Sequence, residues 1–289
     1  MNRSSRCFQQ LTVCGLLLGT MLPLYPENKY AENFELTQFS TYKLLHITNP
    51  WRGSGDTSYT YALVPKGKAL PEFPNHVRVI RTPVERVITM ATVYLGPVQS
   101  LEIYHKLVGG AHLDLSNDPL IHELVKAGKI TPLQGGSAVD IESIFLLDPD
   151  IIFTFSTGES LYDTHPKLER ANLPVVLTSG YMESDPLARS EWIKVIAAFV
   201  DKGDKAEALF TGIADRYERL RKMTVHVAAR PDVFANAPFA GVWHLPGGKS
   251  YNAKRFKDAG ANYLWATNDS SGGVPMDFEV ILVRAANAD

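Results

Sequence analysis

Eight histidines, His46, His76, His105, His112, His122, His165, His226 and His244, are the first candidates for metal or acid–base chemistry. None forms an H-x-H pair or an H-E-x-x-H helix, the spacings that bring two imidazoles onto one ion. Both cysteines, Cys7 and Cys14, lie near the start of the chain, so no zinc site is expected from them. No G-x-S-x-G elbow presents a serine nucleophile. Leu245-Pro-Gly-Gly-Lys-Ser250 ends like a phosphate-binding loop, but Trp243 stands six residues before Lys249 where that loop needs glycine. Pro246 also removes one of the backbone N–H groups that would wrap a phosphate. These residues argue against hydrolysis and nucleotide binding.

Aromatic and small polar residues are gathered instead in four clusters. They are Thr89-Met-Ala-Thr-Val-Tyr94, Phe155-Ser-Thr-Gly158, Tyr181-Met-Glu183, and the group Trp243, His244, Ser250 and Tyr251. Each falls where a strand ends or a loop follows, and in open α/β sheets ligands bind outside the carboxyl ends of the strands. That chemistry is binding: flat apolar faces with a few polar handles.

The elements that must position these clusters follow from periodicity. Residues 34–75 read as β, with Tyr42-Lys-Leu-Leu-His-Ile47 and Tyr59-Thr-Tyr-Ala-Leu-Val64 separated by a turn-rich stretch, and strands follow at 76–81 and 86–90. Alternation then sets in. Helices are expected at about 94–107, 119–127, from Asp140, at 162–171 and at 187–200, with strands at 151–155 and 174–178. This grammar implies βα crossovers and a mostly parallel sheet with helices on both faces. Residues 31–201 are therefore one α/β lobe carrying an N-terminal β extension at 34–75. Residues 202–223 form one amphipathic helix of about six turns, with Ala206, Leu209, Phe210, Ile213, Tyr217 and Leu220 on one stripe and Asp204 as the expected cap.

After that helix the pattern restarts, with a strand at 232–235, a Gly/Pro-rich loop at 238–250, a helix at 251–259 and another opened by Asp277. Val139-Asp-Ile-Glu-Ser-Ile144 is echoed by Met276-Asp-Phe-Glu-Val-Ile281, which points to two related lobes. In the first, this helix leads into the strand at 151–155. By that parallel residues 224–289 are expected to be an incomplete second lobe, and a partial gene product is one reading of the chain.

The 289 residues carry 29 basic and 31 acidic side chains. Nucleic-acid recognition normally needs a basic face, so that class is excluded. Arg3 and Arg6 precede twelve uncharged residues, Leu11 to Leu22, too few for the roughly 20 that span a bilayer and right for an export signal. Residues 1–30 are expected to be that signal, with cleavage between Met21 and Ala31. The mature protein then has no cysteine and is placed in the periplasm. Lipid anchoring at Cys14 is disfavoured because Val13 is bulky and most of the apolar run follows the cysteine.

Thr82-Pro-Val-Glu-Arg-Val-Ile-Thr-Met90, Leu107-Val-Gly109, Asp140-Ile-Glu with Leu147-Asp-Pro-Asp-Ile-Ile152, and Leu173-Pro-Val-Val176 together resemble the periplasmic substrate-binding proteins of ABC importers for vitamin B12, ferric siderophores and haem. The resemblance runs from about Tyr42 to the end. Pro186-Leu-Ala-Arg-Ser-Glu-Trp-Ile193 and Gly241-Val-Trp-His-Leu-Pro-Gly-Gly-Lys-Ser-Tyr251 are similar to one subgroup, which has Asn where this chain has Lys249. The family implies two Rossmann-like α/β lobes joined by one long helix, with ligand held between them and no bond made or broken.

Carried over by position, the ligand contacts implied are Thr92, Tyr94, Phe155, Ser156, Tyr181, Trp243 and Tyr251. The resemblance also implies a membrane permease with its ATPase as partner, docked through acids at the lobe tips, here Asp163 with Glu159 second. The ligand would be a metal chelate, a ferric siderophore, cobalamin or haem; no catalytic residue, resident metal or cofactor is implied, and a monomer is expected. An enzyme on the same architecture, such as a tetrapyrrole metal chelatase, would need a paired histidine and glutamate facing the cleft, and His112 with Glu183 is the pair to nominate.

Overall fold

A computed structural model describes residues 28–159, 162–286 and 288. Residues 1–27 of the expected export segment, with Cys7 and Cys14, lie outside the described residues; Lys29 and Tyr30, placed in that segment from sequence, donate their backbone N–H groups to Glu191 of the lobe. The chain begins with strands β1 (Phe34–Gln38), β2 (Lys43–Thr48), β3 (Ser58–Pro65) and β4 (Val77–Thr82), a four-stranded sheet in chain order. Its first three strands are antiparallel, while β3 and β4 run parallel. The sheet is not a separate body. Phe34, Leu36, Leu45, Ile47, Tyr61 and Leu63 share one buried cluster with Val87, Phe153 and Phe199 of the lobe that follows.

That lobe is built on β5 (Val87–Thr89), β6 (Leu107–Ala111), β7 (Thr131–Leu133), β8 (Ile151–Thr154) and β9 (Val175–Leu177), all parallel, in the order β7-β6-β5-β8-β9. Every residue of β5, β8 and β9 is buried. Strands covered on both faces by helices need unbroken apolar runs, which is what Ile151-Ile-Phe153 and Val175-Val-Leu177 supply. The connecting helices are α1 (Leu95–Ser100), α2 (Pro119–Lys126), α3 (Ile141–Leu146), α4 (His165–Arg170), α5 (Pro186–Glu191) and α6 (Ile193–Val200). Asp118, Asp140 and Asp185 cap α2, α3 and α5 by accepting backbone N–H groups.

Three helices differ from the sequence reading. The one expected at 94–107 stops at Ser100, because Glu102 takes a left-handed conformation and the Ile103 N–H folds back to Val98 O at 3.0 Å. That paired stop, with Glu102 N–H on Gln99 O, recurs at Gly128 and Asn172, where helices were expected to end. The helix expected at 162–171 starts only at His165. The one expected at 187–200 divides at Trp192, whose indole turns inward to donate to Glu183.

The long helix α7 (Gly203–Thr224) matches the expected linker within one residue at each end. It buries Ala206, Phe210 and Ala214, four residues apart on one face, and over 22 residues spans about 33 Å. Asp204 is not its cap; Lys202 holds that position without a side-chain bond, and Asp204 lies in the first turn, where negative charge suits the helix dipole.

Beyond α7 the second lobe has two small sheets in place of the expected single parallel one. β10 (Asp232–Val233) pairs in parallel with β13 (Asn262–Tyr263). β11 (Pro238–Phe239), β12 (Val242–Pro246) and β14 (Gly273–Met276) form an antiparallel sheet, the first two within the stretch 238–250 where a loop was expected. Ala240 and Gly241, both at positive φ, make the two-residue turn between β11 and β12. Helices α8 (Tyr251–Asp258) and α9 (Phe278–Ala285) complete the lobe. The internal echo holds in packing: Ile144 of α3 and Ile281 of α9 are both buried. Asp277, unlike Asp140, makes no capping bond.

Candidate functional site

The strand order places β5 and β8 side by side while the chain leaves them toward opposite edges of the sheet, so the loops after these strands diverge and leave a crevice. A cavity of about 1130 Å³ opens there. Every strand of the parallel sheet contributes to its wall from its carboxyl end: Thr92 and Tyr94 after β5, His112 after β6, Gly135 and Gly136 after β7, Phe155 after β8, and Tyr181 after β9. Trp192 and Ile196 close one side, and Ile213 of α7 reaches it from the linker.

Two tyrosines of this wall are fixed by hydrogen bonds. The buried Tyr94 hydroxyl shares a 2.9 Å hydrogen bond with Thr178 Oγ1, and burial raises its pKa despite that bond. Tyr181 donates to Ser156 O at 2.7 Å. Its ring meets Phe155 edge-on with centroids 6.1 Å apart. Such pairing fixes ring orientation and adds about 0.5–1.5 kcal/mol beyond area burial.

The electrostatics are one-sided. Among the described residues no aspartate, glutamate or lysine lines the cavity, whereas Arg189 does. Its guanidinium donates to the carbonyls of Glu183 (3.2 Å) and Tyr181 and lies under the Tyr251 ring, 3.6 Å from the centroid. Val93, Leu115 and Tyr162, all lining the cavity, are each more than 60% exposed, an unusual concentration of uncovered apolar surface.

The residues nominated from sequence therefore separate. Thr92, Tyr94, Phe155 and Tyr181 lie together on the cavity wall. Ser156 lies directly below it, fully buried, with its hydroxyl donated to Asp163 Oδ2 at 2.5 Å. Trp243 does not reach the cavity; it packs in the small core of the second lobe with Phe234 and Phe278 and donates its indole N–H to Ala235 O. Tyr251 also stays off the wall and meets it through Arg189.

Asp163 is not a tip acid. It is buried, and its carboxylate accepts hydrogen bonds from the Ser156 and Thr157 hydroxyls and the Thr157 and Gly158 N–H groups. Burial pushes its pKa up, but these donors together outweigh burial and hold it below the ordinary carboxylate value. Glu159 is exposed. The pair His112 and Glu183 is not assembled: Glu183 is buried away from the cavity, accepting from Glu32 N, Asn33 N and Trp192 Nε1.

Sequence reading missed Arg189, Trp192, Gly135 and Gly136 as wall residues. Arg189 and Trp192 sit inside Pro186-Leu-Ala-Arg-Ser-Glu-Trp-Ile193, noticed only as a resemblance. The two glycines follow β7, a three-residue strand containing a proline that has no periodic signal. The phosphate-loop look-alike is explained by close packing: a Cβ at Gly247 would lie 2.1 Å from Ser270 O, and one at Gly248 2.4 Å from Ala266 O. The Gly247 and Lys249 N–H groups are spent on Gly272 O and Ser270 O.

Residues 91–289 match the model of the Periplasmic binding protein family. This chain belongs to that family. Periplasmic binding proteins are solute binders that work outside the cytoplasm, and the four-stranded N-terminal sheet precedes the matched region. An uncharacterized lipoprotein of Methanocaldococcus jannaschii is 23% identical to this periplasmic binding protein over 94% of its chain and 71% of the relative's. Among solved structures, a possible iron-binding periplasmic solute-binding protein of Staphylococcus epidermidis shares the fold at a TM-score of 0.54, with 15% identity, 70% of this chain and 75% of that one covered. A periplasmic heme binding protein of Pseudomonas aeruginosa gives 0.53, with 18% identity over 70% and 69%.

Proposed function

We propose that this periplasmic binding protein captures a metal chelate, a ferric siderophore, cobalamin or haem, and delivers it to the permease of an ABC importer driven by its ATPase. The observation that carries this reading is the cavity of about 1130 Å³ at the strand ends, walled by Tyr94, Phe155, Tyr181 and Trp192, with no acidic side chain on it among the described residues. A site of this size exceeds what small metabolites fill. Its broad apolar faces suit a ring or chelate whose metal is already enclosed. Glu159, which is exposed, would be the first-lobe acid to meet the permease.

Trp192 makes ligand capture observable, since its indole is part of the wall. Titration of the chain with haemin, cyanocobalamin and a set of ferric hydroxamate and catecholate siderophores, read by quenching of tryptophan fluorescence, should give micromolar or tighter binding for one class. Tyr181→Ala should weaken it at least tenfold. No binding by any of these chelates would overturn the reading.

A further inference from the structure

Two buried carboxylates hold the segment that leads into β1. Glu191 accepts the backbone N–H groups of Lys29, Tyr30 and Ala31, and Glu183 accepts those of Glu32 and Asn33, so five consecutive amides are spent on two side chains. The same Glu183 carboxylate also reaches the cavity wall. Its Oε1 takes the Asn33 N–H at 3.0 Å and the Trp192 indole N–H at 3.1 Å. Glu183 is buried off the wall, whereas the Trp192 ring is part of it. A carboxylate kept out of water must have its lone pairs filled, so these donors act as one network.

The indole is fixed from two further sides. Phe34 at the start of β1 meets it edge-on, with centroids 4.9 Å apart, and a Cβ on Gly180 would lie 3.0 Å from its Cγ. Arg189, also on the wall, joins the same block by donating to the carbonyl oxygens of Glu183 and Tyr181. Residues 32–34 precede the stretch 91–289 that matches the family, so part of this wall is set by chain outside the family pattern. Taking the strand-end cavity as the binding site proposed above, we propose that Glu183 is its positioning residue and makes the docking of residues 29–33 and the set of Trp192 a single equilibrium. Coupling between two sites is reciprocal. A ligand seated against Trp192 tightens the segment, and a loosened segment weakens the ligand.

The tag-free chain grown with 5-fluorotryptophan tests this, because each of its four tryptophans gives a fluorine resonance and Trp192→Phe assigns that of Trp192. Tyr30→Ala loosens the segment from its other end, where the Tyr30 ring meets Phe210 of α7 at 5.9 Å. It should speed amide exchange at Glu32 and Asn33 at least tenfold and shift the Trp192 resonance, leaving those of Trp243 and Trp265 in place. Glu183→Gln, the same shape with an amide NH2 turned toward the N–H donors, should do both more strongly. Whichever of haemin, cyanocobalamin and ferric hydroxamate or catecholate siderophores binds should slow exchange at Glu32 and Asn33 at least tenfold, and should bind Tyr30→Ala at least fivefold more weakly. A Trp192 resonance that stays put while exchange at residues 32–33 quickens in Tyr30→Ala overturns the inference, whether or not Glu183→Gln folds. So does an affinity equal to that of the wild type. A Trp192 resonance that moves with the segment, in a chain that binds none of these chelates, supports the positioning by Glu183 and overturns the chelate reading alone.

Discussion

The N-terminal segment is held by a device that should dominate its stability. The Glu191 carboxylate is fully buried and accepts three consecutive backbone N–H groups, from Lys29 and Tyr30 at 2.7 Å and Ala31 at 2.9 Å, with Lys194 Nζ at 3.2 Å. Hydrogen bonds to a charged acceptor contribute about 1.5–3 kcal/mol each. The sum overstates the loss in Glu191→Ala, because the exposed Lys29 amide regains water and Lys194 keeps Glu207 at 2.7 Å. The buried Ala31 amide has no such recourse, and a buried donor left without its partner costs about 1–3 kcal/mol. At about 2–4 °C per kcal/mol for a chain of this size, the melting temperature should drop by about 5 °C. Glu207→Gln breaks only the exposed end of the same network and should cost less than about 1 kcal/mol. Urea unfolding followed by tryptophan fluorescence, with amide exchange at residues 29–33, measures both the magnitude and its location. If Glu191→Ala stays within about 1 kcal/mol of the wild type and residues 29–33 remain protected, the clamp is not what anchors this segment.

Two further outcomes are expected. Because the folded protein holds the Asp163 pKa below the ordinary 3.8, its stabilisation is complete above that value and is lost as the pH falls through the lowered one; Asp163→Asn should be less stable at pH 7 by about 1–3 kcal/mol and lose less on acidification below 3.8, as thermal melts between pH 2.5 and 7 would show. Equal pH slopes would refute this. Gly247→Ala, whose Cβ would lie 2.1 Å from a backbone oxygen, should destabilise the second lobe by about 3 kcal/mol, whereas Gly273→Ala, with nothing within 4 Å, should shift urea midpoints little.

Much of this architecture is written locally. The buried strands at Ile151-Ile-Phe153 and Val175-Val-Leu177 are recognisable because a strand covered on both faces needs an apolar run. The linker α7 is recognisable because its apolar positions repeat with the helical period. Helix ends were legible where glycine or asparagine stood at the stop, as at Gly128 and Asn172, and illegible at Glu102, a residue with no preference for left-handed backbone. The hairpin at Ala240-Gly241 was missed for the same reason.

The site divides along the same line. Thr92, Tyr94, Phe155 and Tyr181 could be placed on one edge because each follows a strand of a parallel sheet, and that rule needs only element order. Asp163 and Trp243 could not be placed. An acid near a helix start is equally able to face a partner or to bind its own loop, and the outcome rests on where Ser156, Thr157 and Gly158 direct their donors. A tryptophan in a glycine-rich loop is equally able to line a cleft or to form a small core. The sequence by itself determined the α/β order, the long linker and the edge of the sheet where a ligand would lie, because these depend on hydrophobic period and chain order. Only the tertiary structure decided which polar side chains are spent holding the fold, like Asp163, and which, like Arg189, line the cavity, because that depends on hydrogen-bond partners brought in from distant parts of the chain.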